Sequence, residues 1–504
     1  MYQNDRSVII ISGLKKISNW IYLVFFYCVA IVGITATVKE SYIAGFLAIP
    51  SITVLVWLYS KYVRCNKEFN YTMMWIVLQA ISLVLMCIIT FKLQVEPSWD
   101  WGNLLNSAYI FLKDGIIDNE IYYARYTNNQ FWLTALIYLF KGVRFFVPDA
   151  TFSVCKSVSM IVSVVFVEIT ITFLYLIARK LWGNKIALIF GTACIACLPF
   201  YLYAQFLYTD TPTIMLISIT IYLYLQYAES RKQWMHSILI GVIGALILKT
   251  KIMGFILIIA ILIDMILRSK DIKKTLVNIG ICVLAMIVVI VPLNKLVSAS
   301  IPISAEMQER YEFPPTHWIM MGLGGVGGYN GNDVYFTHIQ ETYDSKVDAN
   351  ITEIKKRLND KGVQGVFQHI LSTKASRTWG NPCLAGNDYT GRNPIIKGGK
   401  FQNIFTLSGK WHWICLAYAG IYHIMMLVGL LINGIIAVKK KNMCKGLFLR
   451  IALIGIVIFL SIWECNSRYL VIFLPVLLLV SFWGYHELQE IILKHRIKNH
   501  TQGE

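Results

Sequence analysis

Apolar runs of roughly 17–25 residues alternate along the chain with short polar stretches, the length a helix needs to cross a hydrocarbon core of about 30 Å. The pattern predicts membrane-crossing helices over about 19–38, 42–60, 72–93, 157–177, 186–203, 211–228, 236–249, 252–268, 275–297, 412–437, 446–464 and 469–488. The chain therefore reads as an all-α polytopic membrane protein of about 12 spans. A thirteenth would move the basic tail to the opposite side. The first run lacks a small-residue cleavage site and reads as a retained span. One further short run, 131–146, is read as a half-helix or tilted segment.

Two polar stretches are long enough to carry more than a connection. Residues 94–130 hold an apolar stripe at helical spacing, Leu104, Leu105, Ala108, Tyr109, Ile110 and Leu112, which predicts a helix lying in the interface. Residues 298–410 are nearly charge-balanced, with Gly/Asn-rich turns over Gly322 to Asp333 and a helix over Lys346 to Lys361. A connector of that length is a structure of its own, expected as a mixed loop domain. The chain then divides into an N-terminal membrane region, 1–297, the loop domain, 298–410, and C-terminal membrane helices with a tail, 411–504.

Composition sharpens this picture. The 504 residues are 57% hydrophobic with a mean hydropathy of +0.58, which excludes a soluble enzyme. A net charge of +18 could suggest nucleic acid, but Lys and Arg gather in short loops between spans, as positive-inside topology requires. The flanks Arg6/Lys15/Lys16, Lys61/Arg64/Lys67, Arg179/Lys180/Lys185, Arg231/Lys232, Lys270/Lys273/Lys274, Lys439/Lys440/Lys441 and Lys494/Arg496/Lys498 then share the cytoplasmic face with both termini. The two long polar stretches are extracytoplasmic, and the expected location is the plasma membrane. The eleven Cys are scattered; Cys194 and Cys197 fall inside a predicted span and read as small core residues.

Candidate chemistry sits on the external edges. Glu96-Pro97-Ser98-Trp99-Asp100-Trp101-Gly102-Asn103 places a carboxylate at the water edge, as a helix N-cap or as a reacting group. The same loop ends in Arg125 and Tyr126. Asp210, before Pro212, has the form of an ordinary helix start. Lys249 and Lys251 lie against the positive-inside bias, which suggests an anionic ligand, or snorkel to headgroups. Arg468, between two tight spans, can hold a phosphate bidentately or pair with Glu464. His317 is a base, a ligand or a buried histidine. Gly322, Gly324 and Gly327 imitate a phosphate loop without the flanking strand and helix. No metal cluster is visible.

Several of these stretches resemble the GT-C class of integral-membrane glycosyltransferases, of the bacterial protein O-mannosyltransferase and aminoarabinose-transferase type. The resemblance rests on Pro97-Ser98-Trp99-Asp100 with Ala108, Ala124 to Asn129, Tyr208-Thr209-Asp210-Thr211, Ser467-Arg468-Tyr469-Leu470, and His317 to Leu323 with Gly327 to Asn330. It implies a polyprenyl-phosphate sugar donor and an acceptor hydroxyl on a cell-wall or surface polymer, glycolipid or protein. Transfer would proceed with inversion and with Asp100 as general base. Arg468, Lys249, Lys251 and Arg125 would bind donor phosphate, and Glu96, Tyr126, Asp210 and His317 would line the substrate site. Relatives of that type carry adjacent acids where this chain has Glu96 and Asp100 four apart, so a divalent metal is left open. The rival readings are a transporter or flippase of lipid-linked sugars, with Glu168 and Asp264 inside spans, an O-antigen-type polymerase or ligase, and a scaffold.

Overall fold

The computed structural model describes the backbone of residues 2–64, 69–440 and 446–501, and the side chains of 11–64, 69–440 and 446–494. Lys67 and Lys441, two of the expected basic flanks, lie outside the described residues, as do the side chains of Arg6, Arg496 and Lys498. The N-terminal region holds α1 (Tyr2–Glu40), α2 (Tyr42–Arg64), α3 (Tyr71–Lys92), α4 (Trp99–Asp114), α5 (Glu120–Arg125), α6 (Gln130–Phe146) and α7 (Phe152–Trp182). Then come α8 (Asn184–Ile195), α9 (Leu198–Tyr203), α10 (Asp210–Tyr227), α11 (Gln233–Thr250), α12 (Phe255–Leu267) and α13 (Ile272–Ser300). The long connection folds as α14 (Ala305–Tyr311), α15 (Pro315–Leu323), α16 (Gly331–His338), α17 (Tyr343–Gln368), α18 (Ala375–Trp379), α19 (Gly386–Tyr389) and α20 (Lys400–Phe405). The chain closes with α21 (His412–Lys439), α22 (Leu447–Ile462) and α23 (Leu474–Thr501), the last entered through a 3₁₀ turn, Ser467–Phe473.

Eight helical stretches among the described residues are long and apolar enough to cross a membrane, fewer than the twelve expected. They are Ile11–Glu40, Tyr42–Arg64, Tyr71–Lys92, Phe152–Trp182, Gln233–Thr250, Ile272–Ser300, His412–Lys439 and Ser467–Lys494. The difference has local causes. The expected run 186–203 is interrupted between Ile195 and Leu198, where Pro199 opens a new helix because it has no N–H to continue the old one. The apolar helices Asn184–Ile195, Ile252–Leu267 and Leu447–Ile462 have only 10–17 residues, and α10 begins with a polar turn, Asp210 to Thr213. α6 has 17 residues, about 25 Å at 1.5 Å per residue, short of a hydrocarbon core.

The expected interfacial helix forms as α4, closed by Gly115 in the left-handed region at φ 73°. It packs its apolar face, Trp101, Leu104, Leu105 and Ala108, into the main core. The chain from 301 to 411 is helical where a mixture was expected, and no strand forms among the described residues. One isolated bridge, Val95 to Pro394, ties the region to the start of the first loop. Glu96 N–H donates to Asn393 O (2.9 Å), Ile395 N–H to Gln94 O (3.1 Å) and Phe313 N–H to Arg125 O (3.3 Å). Both long polar stretches therefore sit at the same end of the bundle. The expected helix over Lys346 to Lys361 lies within α17, which is longer and kinks at Gly362.

The connection between α22 and α23 is gripped from that same end. Lys374 Nζ donates to Ser461 O (3.0 Å) and Trp463 O (2.7 Å), Arg377 Nε donates to Cys465 O (3.3 Å), and Cys465 N–H donates to Gly327 O (2.8 Å). Gly322 is explained by this packing, since a Cβ there would meet Trp463 O at 2.8 Å. Two of the glycines that imitate a phosphate loop, Gly322 and Gly327, thus seat the 461–466 connection, while Gly324 lies against Arg357. Cys194 and Cys197 are buried free thiols, as expected of core residues.

Candidate functional site

The site is built where the first loop, the start of α10, the end of α11 and the turn before α23 meet. Asp100 is not the cap of α4. Ser98 holds the cap position, extended at φ −147°, and makes no side-chain cap bond. Asp100 follows in the first turn, where the helix dipole favours an acid. Its Oδ1 accepts from Tyr122 Oη at 2.6 Å. Tyr122 Oη in turn accepts from Asn129 Nδ2 (2.8 Å), and Asn129 Oδ1 accepts from Tyr208 Oη (3.1 Å). Three donors in series point toward one carboxylate, and such chains strengthen each member by polarisation.

Between Ser98 and Asp100 the backbone is strained: Trp99 has φ +47°, a region that costs a residue with a side chain on the order of 1–3 kcal/mol. The turn is tight at its other side too, because a Cβ on Gly102 would meet Pro97 C at 2.6 Å. Gly102→Ala is therefore expected to destabilise the protein by about 1–3 kcal/mol, as over-packing does. A melting temperature equal to wild type in the same detergent would show that the turn relaxes freely.

Trp99 forms one wall of a box around Arg468. The guanidinium lies 4.3 Å from the Trp99 ring centroid, 4.7 Å from Tyr208 and 5.2 Å from Tyr389, the last brought in by the long connection. Such stacking suits the planar, weakly hydrated guanidinium. Its polar edge meets Asp210: Nε at 2.9 Å and Nη2 at 2.8 Å from the same Oδ2. Asp210 Oδ1 pairs with Lys251. The three charged side chains are nearly closed to solvent, at 8% exposed for Arg468, 3% for Asp210 and 14% for Lys251. Together they carry one net positive charge. The Asp100 charge reaches both Lys251 and Glu464.

The structure thus brings Asp100, Asp210, Lys251 and Arg468 together. The expected alternative pairing of Arg468 with Glu464 does not form; Asp210 takes that place. The others stand apart. Glu96 is exposed, and its backbone N–H ties the first loop to Asn393 of the long connection. Lys249 is half-buried in the last turn of α11, with no hydrogen bond or ion pair among the described residues. Arg125 lies over Phe313 (5.2 Å) and meets His338 Nδ1 (3.0 Å), with Tyr126 beside it. His317 is fully buried within the long connection, its Nδ1 2.8 Å from Thr337 Oγ1.

Burial lowers the His317 imidazole to about 4. The folded group is then neutral at pH 7, while the unfolded group takes its proton near 6.5. Stability should be full above about pH 6.5 and fall by about 3 kcal/mol as pH drops toward 4, because only the unfolded chain binds the proton in that window. Melting at pH 7 and pH 4.5 tests this: the drop should shrink in His317→Gln, and an equal drop would remove His317 as its source.

A family described as "conserved hypothetical integral membrane protein" matches residues 24–487. The chain belongs to that family. Within this integral membrane protein the match runs from α1 into α23 and takes in every site residue described above. No curated protein sequence matches it. Similar solved structures include an archaeal and a bacterial protein. Archaeal oligosaccharyltransferase AglB from Archaeoglobus fulgidus, in complex with an inhibitory peptide and a dolichol-phosphate, aligns at 13% identity and a TM-score of 0.43, over 84% of this chain. The chain spans about half the length of AglB, 52%. ArnT from Cupriavidus metallidurans, bound to undecaprenyl phosphate, aligns at 11% identity and a TM-score of 0.34, over 82% of this chain and 77% of ArnT.

Sequence reading left out several residues of this membrane protein's site. Tyr122 stands just before the Ala124-to-Asn129 stretch that ends in Asn129, and Tyr208 opens Tyr208-Thr209-Asp210-Thr211, so their neighbourhood in the sequence is a usable signal. Tyr389 gave none. Asp264 and Glu168, the acids inside spans, have local partners: Tyr224 Oη donates to Asp264 Oδ2 at 2.7 Å, while Asp264 Oδ1 is buried without a hydrogen bond among the described residues, and Ser82 Oγ donates to Glu168 at 2.8 Å. Among the described residues no group of three or more His, Cys, Asp or Glu side chains is placed to hold a metal ion.

Proposed function

We propose that this chain is a membrane glycosyltransferase that moves a sugar from a polyprenyl-phosphate donor to an extracytoplasmic acceptor hydroxyl, with inversion. The observation that carries the reading is the meeting of a hydrogen-bonded carboxylate, Asp100, with a cationic cluster, Arg468–Asp210–Lys251, at one end of an apolar bundle. The motif resemblance to GT-C enzymes rests on the same residues.

Arg468 has five N–H donors, and Asp210 engages Nε and Nη2. Nη1 and the spare donors of Lys251 are left for phosphate oxygens. Asp210 would hold the two cations side by side, a positioning role rather than contact with sugar. Lys249 would add charge from the edge of α11. The acceptor hydroxyl would give its proton to Asp100 as its oxygen attacks the anomeric carbon. The bond from that carbon to the phosphate oxygen breaks on the opposite side, and polyprenyl phosphate leaves against Arg468 and Lys251. A carboxylate suffices as the base if the proton moves late and orientation supplies much of the rate. Fixed cations at the leaving oxygen would supply much of the rest.

In this reading residues 1–297 and 411–504 hold donor and bilayer, residues 298–410 face the acceptor outside, and the termini are cytoplasmic. The test is release of polyprenyl phosphate from a panel of polyprenyl-phosphate sugars by purified protein in lipid. Release with at least one donor is expected. Binding and movement of the lipid across a bilayer without release would replace the transferase by a transporter.

A further inference from the structure

A strip of aromatic rings leads away from Asp100 and is not used by donor chemistry. Tyr122, which holds the Asp100 carboxylate, lies 5.1 Å from Tyr126 between ring centroids. Tyr126 lies 6.1 Å from Trp318 at 37°, and Trp318 lies 6.2 Å from Trp463 at 25°. Most aromatic pairs elsewhere meet edge-on; here Tyr126 and Trp318 are tilted and Trp318 and Trp463 are stacked, so the three rings follow one another along the strip. Tyr126, Trp318 and Trp463 are all half-buried, so each keeps ring surface uncovered.

Polar heads border the strip. Arg125 Nε is buried and donates to nothing among the described residues. A buried donor without a partner costs about 1–3 kcal/mol, an expense that a bound acceptor oxygen would remove. Glu464 is buried at 4% exposed beside Trp463, and burial pushes its carboxyl up to about 7. Near neutral pH that group can both donate and accept.

We propose that Tyr126, Trp318 and Trp463, with Arg125 and Glu464 at their edge, form the acceptor subsite, and that the acceptor is a glycan. This names the acceptor class of the site above and so rests on that reading. A sugar ring has an apolar C–H face and an edge of vicinal hydroxyls. It matches a flat aromatic plane bordered by a guanidinium and a carboxyl that serve hydroxyls as donor and acceptor. A lipid acceptor would call for an apolar groove free of buried charged heads.

The experiment is titration of the full chain in detergent, followed by tryptophan emission, with chitotetraose, cellotetraose, maltotetraose and a Ser/Thr-rich peptide as probes. At least one tetrasaccharide should give a saturable change. Trp318→Ala should weaken that binding tenfold or more, and Trp318→Phe, which keeps a ring plane and guards against misfolding, less than threefold. The proposal is overturned if no tetrasaccharide changes the emission, if only the peptide binds, or if Trp318→Ala binds like wild type. Saccharide binding without donor release would retire the transferase reading and leave a glycan site. Donor release without saccharide binding would do the reverse.

Discussion

Asp100→Asn is expected to lower sugar transfer by about 10³-fold, the scale of a lost general base, while donor binding and folding persist. The structure makes this substitution unusually clean. Ser98, not Asp100, occupies the cap of α4, so helix initiation does not depend on the carboxylate. The amide oxygen of Asn can still accept from Tyr122 Oη, which keeps the Tyr208–Asn129–Tyr122 chain closed. What the amide loses is the capacity to take a proton. Its charge in the first turn is worth about 0.3–1 kcal/mol to the helix, so the melting temperature should hardly move. Release and transfer from the active donor, measured beside melting in the same detergent, decide the matter. Transfer above a tenth of wild type would remove Asp100 as the base.

The second large effect concerns the cluster around Arg468, where charge balance makes two substitutions behave in opposite ways. Arg468→Met leaves Asp210 paired with Lys251, a neutral buried pair, so the protein should fold. It loses a charge-assisted contact to phosphate worth about 1.5–3 kcal/mol, or about 10–150-fold in affinity for undecaprenyl phosphate. Asp210→Asn leaves Arg468 and Lys251 facing each other with no counter-charge. Breaking a buried pair in this way costs about 3–5 kcal/mol. The anionic lipid should then restore more melting temperature to Asp210→Asn than to wild type, because it supplies the missing negative charge. If Arg468→Met binds the lipid as tightly as wild type, Arg468 is structural and the phosphate site lies elsewhere.

The separation of these two roles was hidden in the sequence. Arg468 and Asp210 are 258 positions apart. Glu464, four positions from Arg468, was the nearer and more obvious partner. It faces Tyr329, Tyr469 and the long connection instead. Asp210 had every mark of a routine helix start, and it does open α10; its second task appears only when the end of α11 and the turn before α23 are packed against it. His317 had the type of a base and the surroundings of a core residue, and burial decided for the core.

The sequence by itself determined that this is an all-helical membrane protein, because unbroken apolar runs have few other stable states where no water can satisfy the backbone. It also marked the first loop and its interfacial helix, since helical periodicity and the Pro97-to-Gly102 turn are local properties. The tertiary structure has fewer long unbroken apolar helices than the apolar runs suggest, because Pro199 and the polar start of α10 interrupt or shorten them locally. Only it placed Tyr389 against Arg468, Asp210 between two cations, and Trp318 beside Trp463. Those contacts join segments up to hundreds of residues apart, and no local pattern records which distant partner a buried charge or ring will find.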